Sequence, residues 1–438
     1  KVITGCSGGE FGVRCYITAY NIKDGALVWR AYSTGPDSEM LIGQDFNKAN
    51  SHYSALSVYE DVNGGNKLGG SFKAIPKEKL KYPEANLGVR TWLKPQANKD
   101  GWQTGGGPTW GWYSYDPALN LMYYGTGNPG TWNPDVRPGD NKWSMTIFAR
   151  DLDTGVAKWG YQMTPHDEWD YDGMNEVVLW DANGKKLASH FDRNGFGYTF
   201  DRTNGTLLVA QKMHPFVNWA TSIDIKSGVP IKDPNYSTHQ DYNAKGICPS
   251  ALGVKDEQPS AFSPRTKMFY VPLNHVCMTY EPVESKYVAG QPWVGSTLTM
   301  FAGPDGVMGG FMAWNGLTGK TAWYNKEKFS AWGGALVTAS DLVFYGTLDR
   351  WVKALDAKTG KELWRFQVGS GVVGNTITYG HKGKQYVGVL SGIGGWAGVA
   401  MNLGLTNETD GLGAAGGYKE LTKYNAAPGG GAMNVFSL

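Results

Sequence analysis

Apolar and aromatic residues come in short runs, broken every few positions by Gly, Pro, Asn or Asp, which predicts strands and tight turns. One eleven-residue unit, Ala-x-(Asp/Asn)-x-x-x-Gly-x-x-x-Trp, recurs at Ala19–Trp29, Ala149–Trp159, Ala313–Trp323 and Ala354–Trp364. A weaker copy runs from Thr199 through Asp201 and Gly205 to Val209. Each copy reads as a strand ending at the acid or amide, a turn closed by Gly, and a second strand starting near Trp, which is a β-hairpin. A Pro turn feeding an aromatic strand precedes some copies, from Tyr115-Asp116-Pro117 to Tyr124 and from Phe262-Ser263-Pro264 to Tyr270. Four strands of this kind make a blade, and blades repeated radially make an all-β propeller. The tryptophans are expected to staple neighbouring blades, each indole docking on the Ala and Gly of the next. The long intervals from Trp29 to Trp159 and from Val209 to Trp323 leave room for degenerate blades and long loops, where function is expected.

Composition supports this picture. The 438 residues include 61 Gly and 18 Trp, many turns and many flat side chains, unlike a helical bundle. A net charge of +2 with no long Lys/Arg run argues against nucleic acid as a partner. No apolar run approaches the roughly 18 residues of a membrane helix, and Lys1-Val2-Ile3-Thr4-Gly5 reads as a chain entered in mid-strand, with no signal peptide. The four cysteines form no Cys-x-x-Cys pair. By spacing, Cys6 with Cys15 and Cys248 with Cys277 are each either a bridge or two buried thiols.

The candidate chemistry centres on His166-Asp167-Glu168-Trp169-Asp170-Tyr171-Asp172-Gly173-Met174-Asn175-Glu176, with five carboxylates in eleven residues. On pattern alone it is a solvated acidic loop or a cation site. If extended, Asp170 and Asp172 face one side and Tyr171 the other. Two other features carry less. Gly125-x-Gly127-x-x-Gly130 fits a dinucleotide fingerprint, but Pro129 and the following Trp-Asn-Pro forbid the helix it needs. The seven histidines show no metal spacing, so His166 and His275 read as hydrogen-bonded structural residues.

The repeat, together with Gly125-Thr126-Gly127-Asn128-Pro129-Gly130-Thr131-Trp132-Asn133, Arg137-Pro138-Gly139-Asp140-Asn141-Lys142-Trp143, Pro165 to Tyr171 and Gly394-Gly395-Trp396, resembles the pyrroloquinoline quinone (PQQ) dependent alcohol dehydrogenases, above all methanol dehydrogenase large subunits. The resemblance runs nearly end to end. It implies an eight-bladed propeller, of which residues 1–438 would form a single domain incomplete at its N-terminus and without the family's C-terminal tail.

The family's metal ligands match Glu10, Asn128 and Asp170, a hard oxygen set suited to calcium or a lanthanide. Asp172 stands where lanthanide-type members carry an aspartate and calcium-type members a small neutral residue. A trivalent ion asks for one more carboxylate, which favours a lanthanide over calcium. The match makes Asp170 the base that takes the alcohol proton and Arg193 the arginine on the quinone oxygens. Trp110 matches the tryptophan stacked on the quinone, and Ser7, Gly8 and Gly9 the loop beside the cofactor carboxylates. Asp256, Trp332 and Trp396 match further cofactor-lining positions, and Trp132, Trp396 and Leu412 the walls of a pocket for methanol or another short primary alcohol. Pro108 departs from the Thr of calcium-type members, and Cys6 and Cys15 flank the Ser7–Glu10 loop where the family has small residues. Cys248 and Cys277 match a family disulfide, which implies the periplasm. A cytochrome c is the implied electron acceptor, with a homodimer as one assembly open to the chain. Within the enzyme class the rival is a calcium enzyme of broader range; outside it, a non-catalytic binding propeller.

Overall fold

The computed structural model describes residues 1–43, 45–47, 59–61, 72–74, 87–92, 101–395 and 430–437. The chain divides into two compact units, residues 1–210, 218–247 and 280–297 in the first and residues 211–217, 248–279 and 298–438 in the second. In both, antiparallel strands follow one another in chain order within each sheet, as hairpin-linked blades require.

The first unit has a three-stranded sheet, Val2–Thr4, Tyr16–Tyr20 and Leu27–Tyr32, and a four-stranded one, Ser114–Asp116, Leu121–Gly125, Thr146–Asp151 and Ala157–Gln162. A further four-stranded sheet begins there with Val177–Ala182, Lys185–Phe191 and Phe196–Asp201, and ends on Thr206–Lys212. The second unit repeats the plan. Ala261–Ser263, Met268–Asn274, Gly309–Asn315 and Thr321–Glu327 form one sheet, and Leu336–Val337, Leu342–Gly346, Trp351–Asp356 and Glu362–Gln367 the next. A three-stranded sheet of Thr376–His381, Lys384–Ser391 and Ala432–Ser437 follows.

The repeated motif is the outer hairpin of these sheets. Ala19, Ala149, Ala313 and Ala354 each pair with the Trp of their own copy, and a bulge follows each Ala. The acid or amide two residues on closes the turn with its side chain. Asn21, Asp151, Asp201, Asn315 and Asp356 each accept from the backbone N–H two positions later, at 2.9–3.1 Å. The Gly of each copy lies at φ 69–77°, where a side chain would be strained.

That Gly also receives the indole of the preceding sheet. A Cβ on Gly155 would lie 2.5 Å from Trp29, one on Gly205 2.6 Å from Trp159, and one on Gly360 2.5 Å from Trp323. Each of the three indole N–H groups donates to the next sheet's turn region: Trp29 to Leu152 O, Trp159 to Arg202 O and Trp323 to Ala357 O, at 3.0–3.1 Å. The staples expected from the sequence are therefore present, and their glycines serve both the turn and the docking. Trp364 differs: it packs edge-on to Phe436, ring centroids 5.1 Å apart, and stays 39% exposed. Trp159 is buried, so Trp159→Ala should cost about 3–5 kcal/mol through lost burial and a residual cavity. Trp364→Ala should cost distinctly less; equal falls in the urea midpoint of the two variants would contradict the docking account.

A candidate metal and cofactor centre

Burial removes the wet-loop reading of the acidic stretch: Asp167, Glu168, Asp170, Asp172 and Glu176 are all buried. Asp167 and Glu168 are engaged by other groups. Asp167 accepts from the backbone N–H groups of Trp169 and Tyr171, both at 3.2 Å, and its carbonyl accepts from Arg137 at 2.6 Å. Glu168 pairs with Lys232 at 2.9 Å and accepts from Thr238 N at 3.0 Å. Glu176 offers its carbonyl to the His190 ring. Burial lifts the Asp167 carboxyl to about 6.

The segment is not extended. Asp170 and Asp172 lie at φ 64° and 27°, an arrangement that costs non-Gly residues about 1–3 kcal/mol each. Trp169, Tyr171 and Trp219 hold it in place: the Trp169 centroid is 5.3 Å from Tyr171 and 4.9 Å from Trp219. The Trp169 indole donates to Tyr236 O at 2.8 Å, and the Trp219 indole to Asn194 O at 2.6 Å. Tyr171 does point away, into that aromatic stack, and both carboxylates still reach one partner. Arg193 Nη1 lies 3.0 Å from Asp172 Oδ2 and 3.5 Å from Asp170 Oδ2. Arg193 is presented by the tight turn after Lys185–Phe191, in which Gly195 at φ 89° donates to Asp192 O.

The remaining groups converge from far along the chain. Asn128 donates its backbone N–H to Asp172 Oδ1 at 2.7 Å and its side-chain amide to Glu10 Oε1 at 2.9 Å. The Trp132 indole donates to the same Glu10 oxygen at 3.3 Å. Glu10 lies in a single turn, Gly9–Phe11, entered through Gly8 at φ 115°. A Cβ on Gly9 would come within 2.5 Å of Asn128 Oδ1, so only glycine allows this approach. Ser7 is exposed at the mouth of the loop. Cys6 and Cys15 bridge across it, and Cys248 and Cys277 form the second disulfide. The Arg193 guanidinium carbon sits 5.9 Å from the centre of the Trp110 ring, giving the centre a flat aromatic wall.

Charge and hydrogen bonding leave this cluster incomplete. Asp170 and Asp172 share one guanidinium while the Glu10 charge lies close enough to act on Asp170, and both Asp170 Oδ1 and Asn128 Oδ1 are buried without a hydrogen-bond partner. Burial, then Asp172, pushes the Asp170 carboxyl well above the usual carboxylate range, with Arg193 opposing. A cation among these oxygens would relieve all three defects.

A sequence profile of the PQQ family, described as glucose/ethanol/alcohol dehydrogenase, beta-propeller domain, matches residues 87–221 and 309–387. The lanthanide-dependent methanol dehydrogenase of Methylorubrum extorquens is 55% identical over the whole of this chain, which spans 69% of that protein. The chain belongs to the quinoprotein methanol dehydrogenase family. Methanol dehydrogenase [cytochrome c] subunit 1 of the same organism is 47% identical, again over the whole chain and 66% of its own length. A solved europium-containing methanol dehydrogenase superposes with a TM-score of 0.87 at 48% identity, covering all of this chain and 72% of that one. The fold is thus the family's β-propeller, and no described helix is long and apolar enough to cross a membrane.

In this family setting, the first unit brings together Gly8, Gly9, Glu10, Trp110, Asn128, Trp132, Asp170, Asp172 and Arg193, with Ser7 beside them. Asp256 and Trp332 are buried in the second unit, where Asp256 N donates to Gln258 Oε1 at 3.3 Å. Trp396 and Leu412 lie outside the described residues. The Gly125–Gly130 fingerprint is a strand end and loop, with no helix. Sequence reading missed the segment that closes on this cluster from the far side. Trp293 N donates to Glu10 O at 2.5 Å, Trp132 N to Val294 O at 2.8 Å, and Tyr280 stacks on Trp132 at 6.3 Å. No local signal marks those residues, because their partners lie far away in the chain.

Gly127 sets the spacing between the Asn128 loop and Asp172. A Cβ there would collide with Asp172 Oδ1 and with Met174 Cε. We expect Gly127→Ala to weaken binding of lanthanum at least about tenfold while the protein stays folded, as displaced supporting groups commonly cost metal sites 10–100-fold. Unchanged lanthanum affinity by equilibrium dialysis would refute this.

Proposed function

We propose that the chain is the catalytic part of a lanthanide-type PQQ methanol dehydrogenase. It would oxidise methanol or another short primary alcohol to the aldehyde in the periplasm and pass electrons to a cytochrome c. The observation that carries the reading is the pair of orphaned buried oxygens, on Asn128 and Asp170, between Glu10, Asp172 and Arg193. Glu10, Asn128, Asp170 and Asp172 are the ligand set, hard oxygens in excess of negative charge. When bound, PQQ supplies the hydride acceptor, and the ion supplies Lewis acidity at its carbonyl.

The chain's own residues do the rest. Asp170, held at an unusual backbone angle, would take the alcohol proton. Arg193 would hold the quinone oxygens, and Trp110 would supply the flat aromatic partner of the ring. Ser7, Gly8 and Gly9 bring backbone to the cofactor carboxylates, with the Cys6–Cys15 bridge fixing their loop. Trp132, backed by Tyr280, would narrow the alcohol pocket. Two disulfides and no free cysteine among the described residues support an oxidising compartment.

Calcium is the competing metal, and one observation favours it: both Asp172 oxygens already have protein partners, Asn128 N and Arg193. The test is reconstitution of the full-length protein with PQQ and either lanthanum or calcium, read as methanol-dependent dye reduction. Activity with lanthanum alone supports the proposal, and equal activity with calcium removes the metal assignment. Failure to bind PQQ with either ion removes the function.

A further inference from the structure

We propose that His214, His275 and Asp305 form a second metal site, for a divalent ion of the zinc, cobalt or nickel class. All three residues belong to the second unit and share no ligand with the centre described above. They come from three loops. His214 follows the strand Thr206–Lys212, His275 is the corner between Met268–Asn274 and Val276–Pro282, and Asp305 sits in the turn between Ser296–Ala302 and Gly309–Asn315.

One donor atom from each residue lies within 4.8 Å of the other two, and the imidazole centroids are 4.2 Å apart. Tetrahedral zinc-class bonds of ~2.0–2.2 Å place donors ~3.3–3.6 Å apart, so closure asks for shifts of up to about an ångström between side chains. Two imidazoles and a carboxylate are a borderline donor set, suited to these ions and not to calcium or a lanthanide.

The second observation is an orphaned nitrogen. His275 is fully buried, and its Nε2 has no hydrogen-bond partner. Its Nδ1 lies 3.0 Å from the Tyr324 hydroxyl, which also reaches Gly309 O at 3.4 Å. When that hydroxyl donates to the carbonyl, it accepts from Nδ1–H and leaves Nε2 as a bare lone pair. A ligating histidine is ordinarily oriented in this way through its other nitrogen.

Asp305 Oδ2 is likewise buried without a hydrogen bond. It faces two groups, His275 Nδ1 at 3.8 Å and Lys326 Nζ at 3.6 Å. Lys326 is largely exposed, so its ion pair is weak and an arriving metal displaces it readily. Three protein ligands leave a position for water, and the ion would tie three loops of the unit together.

The probe is Co2+ added to the holoprotein, followed by its visible ligand-field absorption and by metal content after dialysis. The expected result is one Co2+ per chain beyond the ion of the first centre, competed by Zn2+. Affinity should fall at least tenfold in His214→Ala and in Asp305→Asn, and stay unchanged in Asp172→Ala. His214 and Asp305 are only partly buried, so those variants should fold, which the thermal melt checks. No Co2+ retained at submillimolar concentration, or equal affinity in His214→Ala and Asp305→Asn, would overturn the proposal.

Discussion

Asp172→Ala is expected to lower lanthanum-dependent methanol oxidation at least about 100-fold. Groups that merely orient a ligand already cost 10–100-fold when lost, and the proposal makes Asp172 a direct donor. The substitution also removes the acceptor for Asn128 N and a partner of Arg193, so loss of activity alone would not isolate the metal term. Asp172→Asn separates the two effects. Its side-chain carbonyl can still accept from Asn128 N, but it contributes no charge. A ligand role predicts that the Asp172→Asn variant binds lanthanum more than tenfold more weakly, with a much smaller loss for calcium. Equal effects on the two ions would make Asp172 a structural acceptor and remove the argument for a lanthanide.

Asp170→Asn should cut kcat by roughly 10²–10⁴-fold, the usual contribution of a general base. The amide keeps an oxygen donor, so PQQ absorbance should persist in the variant. The ratio of the two losses carries the information: a base predicts a collapse of kcat with cofactor still bound, a pure ligand predicts loss of metal and cofactor together. Retention of more than a tenth of kcat would end the assignment of Asp170 as the base.

The propeller was legible because its signal is periodic and local. The Asx turn, the positive-φ glycine and the docking tryptophan all fall within eleven residues, and each must be a particular residue type for a stated steric or hydrogen-bonding reason. Trp364 shows the limit: it has the full motif yet remains partly exposed, because a motif cannot report what its neighbour offers.

The acidic stretch was legible as unusual but not as buried. Its pattern suits a wet turn as well as a cation site, and the alternation argument assumed an extended backbone. The carboxylates share a partner through left-handed residues braced by Trp169, Tyr171 and Trp219, the last of them about fifty residues away in the chain. Family resemblance, not spacing, supplied Glu10 and Asn128, since 118 residues separate two side chains that meet at 2.9 Å.

The sequence by itself determined the hairpin unit, the all-β class and the residue types available for hard-metal chemistry, because these follow from backbone sterics and side-chain valence within a few residues. Only the tertiary structure decided which acids of the stretch are spent on Lys232 and backbone N–H groups and which face Arg193. It alone brought His214, His275 and Asp305 together from unrelated loops. Long-range convergence depends on how blades stack, and stacking energy is spread over many apolar contacts that leave no mark at the polar residues they bring together.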